Sequence, residues 1–142
     1  MTSIADLPDV NVWLALTNPD HAFHQRAARY WNEGMHSGGI AFGRITMLGF
    51  LRLMTNAKAM ADKPFEHQEA WEIYETYRGL PEVRFLHEGP DIETRFRDLD
   101  FPQRMWTDAY LAAFALTAGC RIVSFDRDFS RFNDLELLLL ES

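Results

Sequence analysis

A single cysteine, Cys120, stands among the 142 residues, and that near-absence excludes two classes at once. A disulfide scaffold needs paired cysteines and a zinc knuckle needs clustered ones, so neither applies and a reducing compartment suits the chain. Nowhere does the sequence approach the ~18 consecutive apolar residues that a membrane span requires. No stretch is low in complexity, no repeat of ~20–50 residues recurs, and no Gly/Ser- or Pro-rich segment is long enough for an interdomain linker. The expectation is one domain over residues 1–142 with a core of its own. The start, MTSIADLPDV, lacks a basic region followed by an apolar stretch and a small-residue cleavage site, which predicts a cytoplasmic protein with no membrane partner. Positive charge is scarce too: 14 Lys and Arg stand against 21 Asp and Glu, a net charge of −7 at pH 7. A broad basic face of the kind that usually marks nucleic-acid binding is thereby excluded.

What is present is an alternation of short apolar runs with helical periods. Ile4 to Val12 opens as an apolar run in which Pro8 is tolerable only near a strand end. Val12, Trp13, Leu14 and Leu16 then read as one or two helical turns. Asp20 is placed to cap a helix whose Phe23, Ala27, Tyr30 and Trp31 fall at helical spacing and which Gly34 stops. Ile40-Ala41-Phe42 reads as a strand, and Arg44 to Asn56 as a mostly apolar helix, buried nearly all round. Pro64 is suited to opening the next helix, which carries Trp71, Tyr74 and Tyr77 and ends at Gly79. Val83 to Leu86 is a strand candidate, Ile92 to Leu99 a short polar helix and Phe101 to Trp106 a loop. Thr107 to Ala118 is a helix closed by Gly119, Arg121 to Phe125 a strand, and Leu135 to Leu140 a last strand. Strands alternating with helices predict an α/β domain with a mostly parallel sheet of about five strands.

Ligands of such sheets bind where the strands end in loops and helix N-termini. Asp9 and Asn11 follow the first strand, Arg44 and Thr46 the second, Asp108 opens a late helix, and Asp126 and Asp128 follow the fourth strand. Acids gathered at one rim repel one another, and a bound hard cation relieves the repulsion; Mg2+, with Mn2+ as a substitute, takes oxygen ligands, keeps several waters and binds alongside phosphates. The reaction class that follows is metal-assisted phosphoester hydrolysis. Each acid also has a plain structural reading. Asp9 can cap the following helix, Asp108 suits a helix first turn, and Asp126-Arg127-Asp128 is an ordinary turn; their joint placement at one rim favours function.

Leu7-Pro8-Asp9-Val10-Asn11-Val12-Trp13, Gly49-Phe50-Leu51-Arg52, Thr107-Asp108-Ala109-Tyr110-Leu111-Ala112-Ala113 and Ser124-Phe125-Asp126-Arg127-Asp128-Phe129, in this order along nearly the whole chain, resemble the PIN-domain ribonucleases. Among them the VapC-type toxins of bacterial toxin–antitoxin pairs are the most similar. The resemblance implies a PIN-like α/β/α sandwich, Mg2+-dependent endoribonuclease activity on a structured cellular RNA, a VapB-like antitoxin whose C-terminal segment blocks the site, and a homodimer. By this resemblance Asp9 and Asp108 are metal-binding and catalytic and Asp126 is catalytic. Asn11 supports the first aspartate, and Asp128 is a supporting neighbour. Many relatives place a glutamate just before the Gly-Phe-Leu-Arg helix; Met47 takes that place here, which implies fewer protein ligands and weaker metal binding.

Two lysines, Lys58 and Lys63, leave twelve arginines among the 14 basic residues. The planar guanidinium suits phosphate, and Arg44, Arg104 and Arg127 fall near the rim as substrate contacts, whereas Arg52 reads as a structural ion-pair partner inside a buried helix. His21 and His24 share a helix face without the further ligands a zinc site needs, and His36, His67 and His87 read as surface or loop residues. No G-x-S-x-G elbow serves a serine nucleophile. Trp31, Phe50, Trp71 and Tyr74 read as core or dimer contacts; Trp106, just before Asp108, either packs or touches a base. Two alternatives stay open. One is a PIN-like binding module with weakened catalysis. The other is a phosphatase of the haloacid dehalogenase type, which wants an aspartate where Asn11 stands.

Overall fold

The structure, a computed structural model, describes residues 3–141. Strand β1 (Asp6–Pro8) leads into helix α1 (Val10–Thr17), followed by α2 (His24–Arg29), which continues as a π-helical turn over Tyr30–Gly34. Next come β2 (Ile40–Phe42), α3 (Arg44–Met54), α4 (His67–Arg78), β3 (Val83–Phe85) and α5 (Ile92–Arg97). A 3-10 turn at Gln103–Met105 precedes α6 (Trp106–Ala118), then β4 (Arg121–Ser124), a second 3-10 turn at Arg127–Arg131 and β5 (Leu137–Leu139). Five strands form one sheet in the order β3-β2-β1-β4-β5, and every pairing is parallel, with Pro8 opposite Val123 and Asp6 opposite both Ile40 and Arg121. The α/β expectation therefore holds, and the sheet is parallel throughout.

Alternate residues of the strands feed two cores, as a sheet covered on both faces requires. Ile40, Phe42 and Val123 join Trp13, Tyr30, Phe50 and Tyr74 on one side; Leu7, Ala41 and Ile122 join Ala109, Ala112, Phe114 and Phe129 on the other. Trp13 stacks on Phe42 at 3.9 Å between ring centroids. Pro8 is the last residue of the central strand, where its missing N–H removes least from the ladder. Gly119 ends α6 with φ +73°, the left-handed conformation that glycine adopts without strain.

Several local expectations give way. Asp20 caps nothing: the preceding turn is closed by the Asn18 side chain, which accepts the Asp20 N–H at 3.0 Å, and α2 starts only at His24 without a side-chain cap. Pro64 lies before the next helix, which begins at His67 behind a capping box of Glu66 and Glu69. Helix α3 is two-faced and not buried all round: Thr46, Phe50 and Met54 point inward, while Leu48 is 62% exposed. The loop at Phe101–Trp106 contains the 3-10 turn and the first residue of α6.

Asp6, which the sequence left without a role, is fully buried. Arg121 holds it in a fork, Nε to Oδ1 at 2.7 Å and Nη2 to Oδ2 at 2.9 Å. The Tyr30 hydroxyl and the His36 backbone N–H also donate to Oδ2, at 2.5 and 3.0 Å. Arg121 donates as well to the Gly34 carbonyl at 3.0 Å, so the π-helical turn supplies both a donor and an acceptor to this buried pair. That network ties the α2 region to the end of the sheet opposite Asp9, leaving the other end for chemistry.

Candidate active site

In sequence order β1 is followed by β2, yet in the sheet it is flanked by β2 and β4. Connections leave the sheet in opposite directions at such a switch point and open a crevice beyond the strand ends, where ligands of parallel sheets bind. Asp9 follows β1 there, and its N–H donates to the Val123 carbonyl of β4 at 2.9 Å. Its side chain is the N-cap of α1: Oδ1 accepts the Val12 N–H at 3.2 Å, while Oδ2 accepts the hydroxyl proton of Ser124. The capping and functional readings of Asp9 are thus compatible, because each uses a different oxygen. Burial pushes the Asp9 carboxyl up to about 6, against the hydrogen bonds from Ser124 and Val12, with a further upward push from Asp108.

Asp108 lies in the first turn of α6, half-buried. Its pKa is raised above the ordinary carboxylate value by burial first, then by Asp126 and Asp128, with Arg104 acting in the opposite sense. Asp9 and Asp108 line one cleft of about 390 Å³, together with Asn11, Thr46, Gly49, Arg52 and Thr107 among others. Gly49 lets the wall close: a Cβ there would sit 2.7 Å from Val10 Cγ2, so α3 approaches α1 as only glycine permits.

The remaining expected residues divide. Asp126 is exposed on the outer rim, outside the lining of the cleft. Its backbone N–H donates to Ser124 Oγ at 2.9 Å and its Oδ1 accepts the Asp128 N–H at 2.8 Å. Asp128 pairs with Arg104 at 2.9 Å. Asn11 lines the cleft but supports Asp9 only through its backbone; the side chain that holds Asp9 is Ser124, which sequence reasoning missed. Arg44 sits over the Phe85 ring, 4.5 Å from its centroid, and lies outside the cleft lining. Arg127 pairs with Glu141 at 3.1 Å beside a separate hollow that Phe23 and Phe125 also line.

On α3, Met47 packs against the aromatic core and lies 3.3 Å from Arg44 through its sulfur; it does not line the cleft. Arg52 is exposed at the cleft wall, and among the described residues it has no acidic partner. The ion pair expected for it does not form. Trp106 packs edge-on against Phe96 and Phe101, at 5.8 and 5.0 Å, and is still 58% exposed. His24 Nδ1 is hydrogen-bonded to the Ala15 carbonyl at 2.7 Å and His21 Nδ1 accepts the Phe23 N–H; α2 begins at His24, so His21 lies before it and the two do not share a helix face.

Among the described residues no three His, Cys, Asp or Glu side chains gather into a set that would hold a metal by themselves. The donor chemistry is that of a carboxylate pair, Asp9 and Asp108, each with its proton affinity raised mainly by burial. Such a pair fits a hydrated divalent cation, which binds through one or two carboxylates and keeps several waters; it does not fit a closed protein cage.

The model of the PIN domain family matches residues 7–135. The chain belongs to the PIN-domain family. Ribonuclease VapC41 of Mycobacterium tuberculosis is 36% identical over 143 aligned positions, spanning 94% of this chain and 97% of that protein, which places the chain among the VapC-family ribonuclease toxins and sets aside the phosphatase alternative. Solved PIN structures share the fold. The crystal structure of M. tuberculosis VapC20, described as a sarcin-ricin loop cleaving toxin, superposes with a TM-score of 0.62 at 20% identity, covering 91% of this chain and 95% of that one. VapBC-1 from nontypeable Haemophilus influenzae gives 0.66 at 13% identity, covering 94% and 96%.

Proposed function

We propose that this PIN-domain protein is a Mg2+-dependent endoribonuclease and the toxin of a toxin–antitoxin pair, with Asp9 and Asp108 as its metal-binding residues. The observation that carries the reading is the convergence of these two half- to fully buried carboxylates on one cleft at the switch point of the sheet. Bound there, a divalent cation would lower the pKa of a coordinated water and offset the charge that develops on the phosphodiester. The protein's own contribution is positional. Ser124 and the α1 N-terminus fix both oxygens of Asp9, and the first turn of α6 presents Asp108. Arg104, tied to Asp128, stands on the α6 side of the rim as a phosphate contact, and Asp126 acts from the outer rim.

The same reading includes a VapB-like antitoxin as protein partner, a homodimer and a cytoplasmic place of action. VapBC-1, similar in fold, supports the partner. Among the described residues no helix is long and apolar enough to cross a membrane. The test is incubation of the purified protein, freed of any partner, with total cellular RNA in Mg2+, in Mn2+ and in EDTA. Discrete fragments in either metal and none in EDTA are expected. Intact RNA in all three, with no Mn2+ uptake in a calorimetric titration, would favour the binding-module reading.

A further inference from the structure

Helix α3 alternates inward Thr46, Phe50 and Met54 with an outward face carrying Leu48 and Arg52. Arg52 is shared by two depressions. On one side lies the aspartate cleft; on the other a groove of about 180 Å³ runs between α3 and α4, lined by Leu48, Thr55, His67 and Trp71 among others. Leu48 is 62% and Trp71 46% exposed, and large apolar side chains left in water beside the aspartate cleft mark a binding surface. Among the described residues no acid lines this groove, although the chain carries a net charge of −7. Its ionisable groups are Arg52 and His67. Among the described residues the cation acting on Asp108 is Arg104 and not Arg52.

A guanidinium without an acidic partner among the described residues, set at a carboxylate cleft and beside a groove with an exposed indole, matches a strand of nucleic acid. Arginine's fork takes a backbone phosphate, and an aromatic face takes a base without regard to sequence. At about 180 Å³ the groove accommodates one ring system. We propose that Arg52 binds a backbone phosphate of the RNA and that the α3–α4 groove holds the nucleoside flanking the cleaved phosphodiester, with its base against Trp71. This subsite rests on the ribonuclease reading above.

The experiment is fluorescence anisotropy with a short fluorescein-labelled single-stranded RNA in Mg2+, in an Asp108→Asn background that blocks cleavage, over a range of salt. Arg52→Ala is expected to weaken binding about tenfold and to lower the slope of log K against log[salt] by about 0.7, the value for one phosphate on a single strand. Arg52→Lys should keep the slope. Trp71→Ala should weaken binding by about tenfold with the slope unchanged. Both sites are exposed, so melting temperatures should stay at that of the parent. Unchanged affinity and slope in Arg52→Ala, beside cleavage by the wild type, would overturn the subsite alone. Loss of self-association in Trp71→Ala, with RNA affinity intact, would assign the groove to a second copy and also overturn it. A parent and a wild type that neither bind nor cut RNA would bring down the ribonuclease reading and the subsite together.

Discussion

The Ser124 hydroxyl donates to Oδ2 of Asp9 while its oxygen accepts the Asp126 N–H at 2.9 Å. One buried side chain thus couples the acid after β1 to the turn after β4, and it lowers the proton affinity of a carboxyl that burial raises. Ser124→Ala removes that bond, so the Asp9 proton competes harder with a metal ion. Losses of about 10–100-fold in Mn2+ affinity are typical when such supporting partners are removed, and that range is expected in a calorimetric titration. Ser124→Thr should keep most of the affinity.

Asp9 itself makes stability depend on pH. Its folded pKa of about 6 lies above the ordinary 3.8, so folding favours the neutral carboxyl. The contribution is fully present below pH about 4 and lost as pH rises through about 6, a change on the order of 3 kcal/mol for a shift of about two units. Asn mimics the protonated acid, donating to Ser124 while still accepting from Val12. In metal-free buffer Asp9→Asn should therefore melt progressively higher than the wild type between pH 4 and 7. A difference in melting temperature that stays flat across that range would contradict the buried, charge-averse setting of Asp9.

Met47 gives a negative prediction. Because its side chain packs on the core and contacts Arg44, Met47→Glu brings no ligand to the cleft. Mn2+ affinity should not rise, and stability should fall by about 1–3 kcal/mol through an unpaired polar group in a partly buried place. Tighter Mn2+ binding in this variant would mean that the helix presents a different face.

Arg121 and Asp6 are expected to matter for folding and not for chemistry. Their pair lies at the end of the sheet opposite the cleft, with Asp6 fully buried. Arg121→Ala leaves that carboxylate without its cation, a change that destabilises by about 3–5 kcal/mol. Denaturant unfolding reads this directly. Catalytic turnover per folded molecule should be unchanged.

The strand–helix alternation was legible because each strand is a short apolar run bounded by turn residues, and the acids at strand ends followed from the parallel sheet. Contacts distant in sequence were not. The bond of Ser124 to Asp9 and the fork of Arg121 on Asp6 join residues at opposite ends of the chain, and nothing local marks either. Arg52 misled because the apolar composition of α3 conceals which face looks outward; only the packing of Thr46, Phe50 and Met54 settles it. Asp20 has the residue type of a cap, but the Asn18 turn delays the helix to His24. Of the residues drawn from the four-motif resemblance, Asp9 and Asp108 line one cleft, whereas Asp126, Asp128, Arg44 and Arg127 do not.

Metal-dependent cleavage of RNA is the activity proposed for the Asp9–Asp108 cleft. It is tested most directly by the initial rate of RNA cleavage in saturating Mg2+ by the wild type and by Asp108→Asn, whose half-buried position should tolerate the substitution without unfolding. Wild-type cleavage that EDTA stops is expected, with a loss of at least about a hundredfold in the variant, the scale of removing a group that stabilises developing charge. Equal rates in the two proteins would contradict it.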